Sequence, residues 1–129
     1  MNPIASAVTR AALLAGQPPI WPDDPFAAIR ATVAASATRL VVLDDDPTGT
    51  QTVHDMPVLT TWSIGALEAE LQNKGPGFFI LTNSRSLTAA AAASLSREIG
   101  ANLRRAVDTT GVPVQVISRS DSTLRGHFP

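Results

Sequence analysis

Leu40-Val41-Val42-Leu43-Asp44-Asp45-Asp46-Pro47-Thr48-Gly49-Thr50 decides the fold. Its first four residues form a short continuous apolar run, the pattern of a strand buried on both faces. Three carboxylates follow at once, then a proline, a glycine and two hydroxyls. Two more segments repeat this arrangement of an apolar run leading into a polar loop. Phe78 to Leu81 leads into Thr82-Asn83-Ser84-Arg85-Ser86, and Val112 to Ile117 leads into Ser118-Arg119-Ser120-Asp121-Ser122-Thr123-Leu124-Arg125-Gly126. Between the runs lie helical patterns. Ser63 is placed to cap a helix through about Asn73, ended by Lys74-Gly75-Pro76-Gly77. Residues 88–108 carry Leu95, Ile99, Leu103 and Val107 at helical spacing, and Gly111 breaks that helix. A further strand is expected at Pro57 to Thr61. Alternating strands and helices imply parallel pairing through right-handed crossovers. The predicted fold is α/β, an open, mostly parallel sheet with helices on both faces. In such sheets the carboxyl ends of neighbouring strands face one crevice, where ligands bind.

The N-terminal part reads differently. Residues 1–16 are either a helix or loose, and the prolines of Gln17 to Pro25 exclude regular structure there. Asp24 followed by Pro25 has the form of a helix start, with the helix running to about Arg39 and Phe26, Ile29, Val33 and Ala37 on one face. The domain reading is therefore a helical and Pro-rich lead-in over residues 1–38 and a partial α/β domain over residues 39–129.

Composition narrows the function classes. Ten basic and eleven acidic residues leave a net charge of −1, which gives no general attraction to nucleic acid or anionic membrane. Lys74 is the only lysine, so the positive charge is nearly all arginine, the side chain suited to bidentate capture of carboxylate or phosphate. There is no cysteine, which excludes disulfides, thiol nucleophiles and cysteine metal sites. No stretch approaches the roughly 18 apolar residues of a membrane-spanning helix, and the N-terminus makes a poor signal peptide. A soluble, cytoplasmic protein is expected. His54 and His127 are isolated, so no metal site is expected from histidine, and Trp21 and Trp62 read as packing residues.

The three polar loops carry the chemistry. Consecutive carboxylates repel one another and need cations, backbone amides or a metal to offset them. Gly49 allows close backbone approach to a ligand, with Thr48 and Thr50 beside it. Arg85 sits in a donor-rich loop whose Ser86, or else Thr88, starts the next helix. Asp121 lies between Ser120 and Ser122, flanked by Arg119 and Arg125. A guanidinium there suits a sugar-acid carboxylate, while Asp121 accepts from a hydroxyl.

These motifs, in this order, resemble the N-terminal domain of the four-carbon acid sugar kinase family. The family's Asp-Asp-x-Thr-Gly corresponds to Asp45 to Gly49, its Ser-Arg-Ser to Ser84 to Ser86, and its Asp-Ser-Thr-Leu-Arg-Gly to Asp121 to Gly126. The stretches Leu43 to Val53 and Phe78 to Leu87 are similar as well, and the likeness extends over residues 40–129. The resemblance implies an ATP-dependent kinase that phosphorylates a tetronate or 3-oxo-tetronate in the presence of Mg2+. In that family a C-terminal domain, absent from this chain, binds the ATP. It further implies that Asp45 and Asp46 face the substrate hydroxyls, one of them orienting or deprotonating the nucleophile. Arg85 and Arg125 would hold the carboxylate, and Thr48, Gly49, Ser84, Asp121 and Ser122 would complete the pocket. No phosphate-binding glycine loop is present in the 129 residues, so the chain alone is expected neither to bind ATP nor to phosphorylate.

Two other readings compete. Asp44-x-Asp46-x-Thr48 also matches the nucleophile motif of haloacid-dehalogenase-like phosphatases, with Leu81-Thr82-Asn83 similar to their second motif. In that reading Asp44 attacks phosphate and Asp46 is the acid/base. The group also needs a later lysine and a further acidic pair, whereas Lys74 precedes its strand and Asp121 stands alone. The third reading is a non-catalytic sugar-acid-binding fragment, able to self-associate through an exposed sheet edge.

Overall fold

The computed structural model describes residues 7–51, 53–121 and 126–127, and the chain divides into two compact units, residues 1–32 and 33–129. In the first unit Thr9 caps a short helix α1, Arg10–Ala15, its side chain accepting from the Ala12 amide. Helix α2, Phe26–Ala35, begins as the sequence indicates: the Asp24 carboxylate accepts from the Phe26 N–H at 3.0 Å. It stops well before Arg39. That residue instead opens strand β1, Arg39–Asp44, where its amide donates to the Pro113 carbonyl at 2.8 Å.

The second unit contains β1, β2 (Val58–Leu59), α3 (Ile64–Gln72), β3 (Gly77–Leu81), α4 (Ala89–Thr110) and β4 (Val114–Arg119). All strand pairs are parallel and the order is β2-β3-β1-β4. The three strands that precede the polar loops are therefore immediate neighbours, with β1 in the centre. This architecture is the open α/β sheet expected from the alternating pattern. β2 is shorter than the Pro57–Thr61 run suggests, with only two residues in the ladder.

The starts of α3 and α4 both rest on hydroxyl caps. Ser63 accepts from the Ala66 amide and Thr88 from the Ala91 amide, each at 3.3 Å. α4 ends at Gly111, which adopts φ 70° and returns its N–H to the Val107 carbonyl at 2.8 Å.

One face of the sheet carries the core. Val41, Phe78 and Ile80 pack against Leu67 and Leu71 of α3 and Ile99, Leu103 and Ala106 of α4, all at most 5% exposed. Trp62 packs on this cluster and is fixed from both sides by α4: its indole donates to Glu98 at 3.0 Å, and Asn102 donates to its carbonyl at 3.0 Å. Because side chains alternate along a strand, Val42, Asp44, Phe79 and Arg119 belong to the opposite face.

Candidate functional site

The carboxyl end of β1 lies between those of β3 and β4, and three hydrogen bonds tie the loops there to one another. The Thr82 amide extends the ladder to the Asp44 carbonyl at 2.8 Å, the Arg85 amide reaches the Asp45 carbonyl at 3.3 Å, and the Asp45 amide reaches the Arg119 carbonyl at 3.4 Å. Asn83 adopts the left-handed conformation, φ 51°, which Asn tolerates, and this turns the chain into a single 3-10 turn at Ser84–Ser86. That turn carries Arg85 back over the acidic loop.

Asp45 is the hub of the site. It is 4% exposed and receives three N–H donors: Arg85 Nε at 3.1 Å and Nη2 at 2.9 Å, and the Asp121 backbone amide at 3.1 Å. Each of the three polar loops thus contributes to one carboxylate. Arg85 also pairs through Nη1 with Asp46. Asp46 in turn folds its own loop, accepting from the Thr48 amide at 2.8 Å and from the Thr48 hydroxyl. These bonds from Thr48, then the charge of Arg85, hold the Asp46 carboxyl below the usual carboxylate range. Hydrogen bonding to Asp45 raises the affinity of Arg85 for its proton further.

Asp44 has a separate partner. In the β1–β4 register it stands opposite Arg119, whose Nη1 lies 3.3 Å from Asp44 Oδ1. Asp44 has no solvent exposure, and among the described residues its Oδ2 has no hydrogen-bond partner. Burial pushes its carboxyl up from 3.8, and Arg119 offsets only part of that rise. Folded Asp44 therefore takes up a proton at higher pH than unfolded Asp44. The wild-type chain should gain stability relative to Asp44→Asn as pH falls from neutrality through that raised value toward 3.8. Thermal midpoints of the two proteins measured across that range give the check, and parallel curves refute it.

The structure brings together Asp45, Asp46, Thr48, Ser84, Arg85 and the Asp121 backbone. Gly49 lies beneath them against the Asp44 carboxylate. Ser122 and Arg125 fall outside the described residues. Arg85, read from sequence as a carboxylate-binding group, directs three of its five N–H donors at aspartates. Arg119, read from sequence as one of two guanidinium groups flanking Asp121, is the partner of Asp44. Its signal is its place as the last residue of a strand beside β1.

Two cavities flank Asp45. The larger, about 710 Å3, lies on the α4 side and is lined by Asp45, Thr82, Ser84, Ser118, Ser120 and small residues of α4. The smaller, about 320 Å3, is bounded by Asp45, Asp46, Asn83, Arg85 and Ser86.

Asp44, Asp45 and Asp46 each offer a carboxylate oxygen within 4.8 Å of the others. They do not form an open coordination site. Arginines and Thr48 already hold Asp45 and Asp46, Asp44 is sealed from solvent, and the positive charge comes from Arg85 and Arg119. The same burial withdraws Asp44 from any nucleophilic role, which removes the attacking group that a phosphatase of the kind considered above requires.

A parallel sheet with hydroxyl-rich loops and a cavity at its carboxyl edge defines a small-molecule-binding α/β domain. The family model described as sugar-binding N-terminal domain matches residues 40–129, from the first buried strand to the last residue. The chain belongs to that family, the N-terminal domain of the four-carbon acid sugar kinases. Searches of curated proteins and of solved structures found no match. Among the described residues, no helix is long and apolar enough to cross a membrane.

Proposed function

We propose that this chain is the substrate-binding part of an ATP-dependent kinase acting on a four-carbon sugar acid, a tetronate or 3-oxo-tetronate. The observation that carries the reading is Asp45, a nearly buried carboxylate fixed by all three loops at the wall of a hydroxyl-lined cavity. A carboxylate held this rigidly can accept from a sugar hydroxyl and aim it. Phosphoryl transfer depends mainly on such positioning and on charge neutralisation. Asp46, held ionised by Thr48 and Arg85, adds to the field that orients the same hydroxyl. ATP and its Mg2+ belong, in this reading, to the C-terminal part of the full-length enzyme, and the residues of this sheet edge take up the acid alone.

The test is thermal unfolding of the full chain with D-threonate, D-erythronate and related four-carbon acids. Ligand at about a hundred times its dissociation constant adds roughly 2.7 kcal/mol, a readily measured rise in midpoint. The expected result is a shift with one acid that is lost in Asp45→Asn. No shift with any hydroxylated four-carbon acid refutes the reading. Consumption of ATP once the C-terminal domain is supplied separates a kinase from a protein that only binds.

A further inference from the structure

We infer that the serine pair Ser118–Ser120 determines which sugar acid is bound, by reading its hydroxyls in the larger cavity; this rests on the sugar-acid reading above. The argument starts from strand alternation. On the core face, β1 runs Val41, Leu43 and then Asp45; β3 runs Phe78, Ile80 and then Thr82; β4 runs Val114, Val116 and then Ser118 and Ser120. The register sets Leu43 beside Ile80 on one side and Ser118 on the other, so these positions form rows across the sheet. In the lower rows the side chains are apolar, and Val41, Phe78 and Ile80 pack under α3 and α4 while Val116 of β4 stays exposed. At the carboxyl end of the same face they become polar on all three strands, and there they line the cavity. Opposite this polar edge, α4 presents Ala89, Ala92 and Ala93, which are too small to fill the space.

Ser118 is exposed and Ser120 half-buried, so both hydroxyls can be reached from the cavity, and a polyol suits them because each hydroxyl both donates and accepts. The other polar groups of the wall already have partners. Thr82 donates to the Asp44 carbonyl at 2.8 Å, and Asp45 is held by Arg85. Ser118 and Ser120 bond to each other at 3.0 Å. That bond uses one hydroxyl proton of the two and leaves the second, with the remaining lone pairs, for a ligand. Four-carbon acids differ in the orientation of a single hydroxyl, so a fixed hydroxyl pair is the feature able to tell them apart.

Isothermal titration of the full chain with D-erythronate and with D-threonate tests this. In Ser118→Ala and Ser120→Ala the affinity for the preferred acid should fall about tenfold, and the preference between the two acids should shrink. Ala93→Leu, at an exposed helical position that favours leucine as well as alanine, should narrow the cavity and weaken binding of both acids while the thermal midpoint holds. Serine variants that keep the wild-type preference overturn the inference, as does Ala93→Leu binding like wild type, and both leave the sugar-acid reading standing. A wild-type chain that binds neither acid overturns that reading and this inference together. If Ala93→Leu is destabilised, the serine variants decide.

Discussion

Arg85→Ala will destabilise the fold and abolish sugar-acid binding. The stability loss follows from what remains behind. Asp45 is 4% exposed, and without Arg85 its carboxylate keeps only the Asp121 amide among its three donors. A buried carboxylate stripped of its partner costs about 3 kcal/mol, because it is left largely uncompensated. For a chain of this size that is a fall of roughly 10 °C in thermal midpoint. Two companions separate this cause from mere truncation. Arg85→Lys should recover less than half of the loss, since one ammonium cannot reproduce the bidentate contact to Asp45 while also reaching Asp46. Asp45→Asn added to Arg85→Ala should leave the double variant no less stable than the single, because the orphaned charge is gone. A midpoint for Arg85→Ala within about 2 °C of wild type would show that the pair does not hold the loops together.

Gly49→Ala should be comparably severe for a different reason. A Cβ built on Gly49 falls on the Asp44 carboxylate, with both oxygens and Cγ far inside the 3.0 Å that real Cβ contacts keep. Asp44 cannot retreat, being fully buried and joined to Arg119. Either the acidic loop lifts or the carboxylate leaves its arginine. The expected cost is about 3 kcal/mol, the upper range for overpacking. Thermal unfolding of Gly49→Ala measures it, and sugar-acid affinity should fall too, because Asp45 and Asp46 ride on the displaced loop. Wild-type stability in this variant would mean that the glycine serves the ligand and not the packing.

Much of the architecture is open to inspection in the chain. Four apolar runs announce the strands, and Asp24, Ser63 and Thr88 announce helix starts through their capping chemistry. The end of α2 is not legible in the same way, because nothing in Ser36-Ala37-Thr38 forbids a helix by propensity. The Ser36 hydroxyl accepts from the Thr38 amide at 3.1 Å, a local bond that competes with the helix. Arg39 then joins β1 by pairing with residues far along the chain, which no local pattern foretells. The site is legible by location and less so by role. That Asp45, Asp46, Ser84, Arg85 and Asp121 would meet follows from their positions after neighbouring strands. That Arg85 turns onto Asp45 and Asp46 depends on the left-handed Asn83, and no spacing rule reveals it. Arg119 needs the register that sets it opposite Asp44, 75 residues away in sequence.

Asp44 and Asp45 are consecutive residues, and strand geometry sends them to opposite sides of the sheet. One answers to Arg119 on the far side, the other to Arg85 beside the cavity. Their carboxylates nevertheless come within 4.8 Å of each other, so one short stretch of backbone keeps two like charges together by giving each its own arginine. Neither arginine can be exchanged for a neutral side chain without leaving its aspartate to face a neighbour of the same sign.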